Sequence, residues 1–190
     1  MSTYGDGGAL LTRRFTSMYN QRMVDEPKLD EYFMHDRAVR ESGHDTTYRL
    51  EHRCANIATV DLNALLYKYE TDIAHAIREV FDDSLQLEED FTLAAPLPPS
   101  TQENGYVSRS SREQPQTSAE WLARAEYRKQ QMNLYCWNEG KSLFYDYDTV
   151  HHKQSLYDSV TAYWTLWAGL ASPHQAERMV YVPRWTRARY

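Results

Sequence analysis

Cysteine is nearly absent from this chain: Cys54 and Cys136 are the only two in 190 residues. They stand far apart and without metal-ligand spacing, which excludes a disulfide framework and an ordinary zinc site. Long apolar runs are lacking too, since none approaches the ~18 residues that span a bilayer. The opening "MSTYGDGGALL" has neither the basic end nor the apolar centre of a signal peptide, so the cytoplasm is the expected location and no membrane contact is foreseen. Positive charge is also short. Acids outnumber bases 27 to 21, a net −6, and a chain of that sign is not expected to bind nucleic acid. The "GDGG" at Gly5–Gly8 lacks the Lys and Ser/Thr of a phosphate-binding loop.

Aromatic residues, by contrast, are plentiful, with 15 Tyr and 5 Trp. That abundance suits either stacking on sugars and bases or an aromatic core, and composition does not choose between them. Apolar periodicity is helical throughout. Leu11, Phe15, Met18 and Arg22 predict a helix near 8–22. Pro27 separates it from a second over 30–41, with Asp30 as its N-cap. Leu62, Leu65, Leu66, Tyr69, Ile73, Ile77 and Val80 form a continuous stripe behind Asp61 as the expected cap of a third.

The stretch 83–116 holds four of the seven prolines and reads as a long loop or insertion. Helix resumes after Thr117, which has capping-box spacing to Glu120. Trp121, Leu122, Ala125, Met132 and Tyr135 are its expected buried face. "KSLFYDYDTV" suits an extended or hairpin segment. Leu156, Val160, Tyr163, Trp164, Trp167 and Leu170 predict a further core-facing helix that ends near Gly169. Ser172, Pro173 and Gln175 then have the pattern of a capped restart. The class is all-α: about six helices in neighbouring pairs over 8–82 and 117–180, followed by a basic, aromatic tail at 181–190.

Chemistry concentrates in "RAVRESGHDTTYR", Arg37 to Arg49. Gly43 fits the left-handed position just past a helix, and it would project Asp45 from the loop beyond. Arginines on both sides favour an ionised Asp45, so a proton-donating role requires burial or a second carboxylate nearby. The bland alternative is a turn-capping Asp paired with Arg49. Asp146 and Asp148 in "YDYD" are expected to be caps and turn formers. His151 and His152 are adjacent and diverge, so joint metal ligation is not expected, and nothing calls for a cofactor. Trp164 and Trp167, three apart, are expected in the core.

A resemblance adds what spacing does not. "YFMHDRAVRESGHDTTYR" resembles the active-site segment of the α,α-trehalases (glycoside hydrolase family 37), the fungal neutral, cytosolic type in particular. "ATVDLNALLYKYETDIA", "RKQQMNLYCWNEGKSLFYDYDTV" and "AYWTLWAGLASPHQAERMV" resemble further stretches of the same enzymes in the same order, over about residues 10 to 180. The resemblance implies about half of an (α/α)6 barrel of helical hairpins, with the active-site segment at 35–49. It implies inverting hydrolysis of trehalose, with Asp45 as general acid, Arg40 and Gly43 lining the sugar subsites, and Glu41 in support.

Two family signatures, a "PGGRF"-like segment and a "QWDxPxGW"-like one, have no counterpart here, nor does the family's general base. A truncated chain carrying the acid but not the base is therefore expected, with unpartnered apolar helix faces through which it could associate. The other readings are a different inverting helical-barrel glycosidase, or a non-catalytic helical module that binds protein or carbohydrate.

Overall fold

Pro27 does not divide two helices; it begins the second. In a computed structural model that describes residues 5–44, 47–87, 92–94, 108–110 and 115–181, helix α1 spans Gly5–Asn20 and α2 spans Pro27–Glu41. Proline suits the first helical position, where its missing N–H would have no intrahelical partner. Glu26 is the N-cap, so Asp30 lies in the first turn rather than ahead of it. There its carboxylate accepts a 2.5 Å hydrogen bond from the Tyr19 hydroxyl. Tyr19 also stacks on Phe33 at 5.9 Å between ring centroids, which ties α1 to α2.

The chain divides into two units, Met1–Asn56 and Ile57–Tyr190. In the second, α3 (Val60–Val80) and α4 (Ser118–Gln131) pack along each other. Thr59 is the N-cap of α3, and Asp61 lies one residue inside the helix. The first helical N–H, on Val60, instead donates at 2.9 Å to Asp146, 86 residues away. The buried face also differs from the expected stripe. Val60, Ala64, Ala74 and Ile77 are buried, whereas Leu62, Tyr69 and Val80 are exposed. Ile77 is thus the member of the expected stripe that is buried, beside two alanines, while Leu62, Tyr69 and Val80 of that stripe face outward.

Between the helices, charge replaces apolar packing at one point. Arg128 on α4 donates to Glu70 on α3 at 2.7–3.1 Å and to Asn63 Oδ1 at 3.0 Å. The capping box of α4 forms as expected, with Glu120 accepting from the Thr117 N–H. Asp83 adds a second cap by accepting from the Ser118 N–H at 2.7 Å. Within the expected loop at 83–116, Leu85 and Gln116 exchange backbone hydrogen bonds of 2.9 Å. Short strands β2 (Thr92–Ala94) and β3 (Ser108–Ser110) pair antiparallel inside it.

At its C-terminal end α4 widens into a π-helix over Met132–Cys136. Two-residue strands follow, as "KSLFYDYDTV" predicts. β4 (Trp137–Asn138) pairs with β5 (Leu143–Phe144), while β6 (Tyr147–Asp148) lies between β1 (Ile57–Ala58) and β7 (Lys153–Gln154), all antiparallel. The core beneath them joins Val60, Ala64, Met132, Phe144, Leu170 and Met179.

The helix expected over 156–170 is much shorter. A 3-10 turn, Val160–Tyr163, leads into a single α turn, α5 (Trp164–Trp167), and Gly169 at φ +71° ends it. Leu170 is buried as expected, but Trp164, Trp167 and Val160 are exposed and Leu156 is 81% exposed. Helix α6 (Pro173–Tyr181) starts as read from sequence: Gln175 accepts from the Ser172 N–H, and Ser172 Oγ accepts from the Gln175 N–H. The architecture is mostly helical with a few short strands.

Candidate active site

The C-terminal end of α2 gathers three of the four residues singled out in "RESGHD". Arg40 occupies the last turn, Glu41 is the final helical residue, and Gly43 follows the C-cap Ser42. Asp45 itself lies outside the described residues. Gly43 has φ +74°, the left-handed conformation anticipated from its position. A Cβ there would meet nothing within 4 Å, so Gly43→Ala carries backbone strain alone. Thermal unfolding should show a loss of about 1 kcal/mol, the left-handed penalty for an L side chain.

The loop beyond is held at both ends. The Ser42 hydroxyl donates to the Val39 carbonyl at 2.6 Å and accepts from the His44 N–H at 3.2 Å. Farther on, Arg49 and Leu50 are buried. Cys54–Asn56 forms a 3-10 turn that packs back on α2. The buried His35 ring receives the Ala55 N–H at 3.3 Å. A helix terminus and a returning turn thus frame the segment that carries Asp45.

Arg40 is oriented by its own helix. Its Nε and Nη2 meet the two oxygens of Asp36, one turn earlier, at 2.9 and 3.3 Å. These hydrogen bonds hold the Asp36 carboxyl below its ordinary value, against a smaller opposing effect of burial and with the guanidinium charge assisting. The Arg40 side chain remains 69% exposed. A planar guanidinium steadied on one edge suits recognition of hydroxyl groups.

In the second unit the "YDYD" acids are turn formers, as read from sequence. Asp146 is buried and caps α3. Asp148, also buried, accepts from the Val150 and His151 N–H groups at 3.0 and 2.9 Å and contacts His151 Nδ1 at 2.8 Å. Burial pushes this carboxyl up, but the His151 and Val150 hydrogen bonds and the His151 charge outweigh it and hold the carboxyl at about 2. A depressed native pKa stabilises fully above the unfolded value near 3.8 and is lost as pH falls through the native one. Below pH 4 the second unit should therefore lose stability more steeply in the parent than in Asp148→Asn, as read from denaturation midpoints between pH 2 and 6.

A cavity of about 290 Å³ opens beside the π-helix. Met132 and Cys136 are buried in it, and Tyr135 and Tyr147 stand 4.9 Å apart between ring centroids. Sequence reasoning did not single out this cavity. The π-helix that forms it has no signature in local spacing, and its lining residues come from β1, α3, α4, the π-helix, β6 and the β6–β7 turn.

The sequence model of the trehalase family, described as "Trehalase", matches residues 7–186. The chain is 46% identical over 180 residues to the cytosolic neutral trehalase of Emericella nidulans, a match that covers 95% of this chain and 22% of that one. With the cytosolic neutral trehalase of Beauveria bassiana it shares 50% identity over 166 residues, or 87% and 21% of the two chains. Among solved structures, neutral trehalase Nth1 from Saccharomyces cerevisiae superposes with a TM-score of 0.72 at 43% identity, covering 89% of this chain and 27% of that one. The helical fold and the loop at the end of α2 thus sit in a sequence of glycoside-hydrolase type. The chain belongs to the trehalase family, and it spans about a fifth of the length of the curated relatives it matches.

Proposed function

We propose that this chain carries the acid-bearing part of an inverting α,α-trehalase site, with Asp45 as the general acid. Asp45 protonates the glycosidic oxygen of trehalose as its bond to the anomeric carbon breaks. A second carboxylate, ~6.5–9.5 Å away to leave room for water, takes a proton from the attacking water, and two glucose molecules leave. Arg40 and Gly43 line the sugar subsites, the arginine through its rigid fork of donors and the glycine by bringing backbone close. Glu41 supports the same loop. The base comes from trehalase sequence beyond the stretch matched here.

The observation that carries this reading is the gathering of Arg40, Glu41 and Gly43 at the C-terminal end of α2, with Gly43 left-handed and the described residues before and after Asp45 anchored, in a chain of the trehalase family. The helices then constitute about half of a six-hairpin barrel. Two exposed apolar faces suit contact with the other half: Leu62, Tyr69 and Val80 on α3, and Val160, Trp164 and Trp167 around α5. The cytosolic names of the relatives, and the lack among the described residues of a helix long and apolar enough to cross a membrane, fit a cytoplasmic enzyme. The net charge of −6 disfavours nucleic acid as a partner.

The test is glucose release from trehalose by the chain mixed with a polypeptide that supplies the rest of a fungal neutral trehalase, with Asp45→Asn beside it. Association without glucose release would favour the non-catalytic module instead.

A further inference from the structure

The cavity beside the π-helix has a lining that discriminates by chemistry. It lies wholly within the second unit, between the start of α3, the π-helix and the β6–β7 turn. Buried Met132 and Cys136 make an apolar floor, and the tilted rings of Tyr135 and Tyr147 form a wall. Gln131, Thr149 and His152 supply amide, hydroxyl and imidazole groups around it. Asn63 adds an amide whose orientation is set: its Nδ2 donates to the Thr59 carbonyl at 2.8 Å, and its Oδ1 accepts from Arg128. An amide oxygen has a second lone pair available.

None of the nine lining residues is Asp, Glu, Lys or Arg. A charged ligand would therefore be desolvated with no opposite charge in the lining, which is costly. An aromatic wall with neutral hydrogen-bonding groups fits a ligand that has C–H faces and hydroxyl edges. The volume lies at the bottom of the ~300–1,000 Å³ range of small-molecule sites, so one ring fits better than two. The π-helix supports the same view, because such widenings of an α-helix recur at functional sites. His152, held at φ +52°, is a non-glycine residue in the left-handed region, a strain that tends to be kept where a side chain must be aimed.

We propose that this cavity binds a single neutral sugar ring, through the Tyr135 and Tyr147 faces and the amides of Gln131 and Asn63. The choice of D-glucose as that ring rests on the trehalase reading, whereas the neutral polyhydroxylated class rests on the lining alone.

The experiment is saturation-transfer NMR of D-glucose titrated into the 190-residue chain, with D-gluconate as the charged comparator. Glucose should receive saturation from the tyrosine protons and gluconate should not. Tyr147→Ala should weaken glucose binding by about tenfold or more through loss of a ring face. Because Tyr147 also packs against the core, Gln131→Leu serves as the second variant. It should weaken binding about fivefold, the value of one neutral hydrogen bond. Absence of transfer, equal transfer to gluconate, or parent-like binding in both cavity variants overturns the proposal. Glucose binding without trehalose hydrolysis in the reconstituted enzyme would sink the trehalase reading and keep the cavity; hydrolysis without glucose binding would do the reverse.

Discussion

Asp45→Asn should lower glucose release from trehalose by about 10²–10⁴-fold, the usual contribution of a positioned general acid. Asparagine keeps the size and hydrogen-bonding reach of aspartate but has no proton to give the departing oxygen. The loss should therefore fall on kcat, with KM changed little, because in the proposed site the sugar still meets Arg40 and the Gly43 backbone. Arg40→Lys should behave differently. Lysine keeps the charge but loses the planar fork and its two-point contact with Asp36, so KM should rise more than kcat falls. A parallel fall of kcat in both variants would place Arg40 in the transition state rather than in sugar binding.

The largest stability effect is expected between α3 and α4. Glu70 and Arg128 have side-chain exposures of 10% and 23%, and Arg128 also fixes Asn63. Removing Glu70 leaves a guanidinium in a largely dry contact without its carboxylate. Breaking a buried pair in this way costs ~3–5 kcal/mol. Partial access of water to Arg128 puts Glu70→Ala at the lower end, about 3 kcal/mol. Arg128→Ala should cost about as much, since it strands the more buried partner. The joint substitution Glu70→Leu with Arg128→Met should recover most of the loss, because desolvation of both charges is then avoided. Urea unfolding of the second unit checks this, with midpoints that shift while the slope stays constant. Two single costs that simply add in the joint variant would show that the ion pair is not the cause.

These two predictions differ in how far sequence could reach them. Local devices were legible. Thr117 with Glu120, Ser172 with Gln175, and Gly43 past α2 each declare themselves through spacing, because the atoms that pair are three or four residues apart. Partners across the fold were not. Asp61 looked like the cap of α3, yet the Val60 N–H goes to Asp146, which only the strand pairing Ala58 with Tyr147 brings near. Glu70 and Arg128 stand 58 residues apart on separate helices, and only the packing of α3 on α4 turns them into a largely buried contact.

The apolar stripes taught a different lesson. Helical spacing tells which residues share a face, and it does so correctly for Leu62, Tyr69 and Val80. It does not tell whether anything covers that face. Trp164 and Trp167 meet edge to face at 5.7 Å but remain exposed, since α5 is one turn long and only Thr165 of it is buried. For the active-site segment, spacing supplied the left-handed glycine and an acid beyond it. The role of that acid came from likeness to a family, since a lone loop aspartate is chemically indistinguishable from a turn former.

One measurement bears most directly on the central claim. Trehalose is incubated with the chain and the complementary trehalase polypeptide, and the glucose anomers are followed by proton NMR before they equilibrate. An inverting site led by Asp45 should release α- and β-glucose in equal amounts from the first turnovers, and Asp45→Asn should silence both signals. Glucose that appears at the same rate with Asp45→Asn, or as the α anomer alone, would contradict the account.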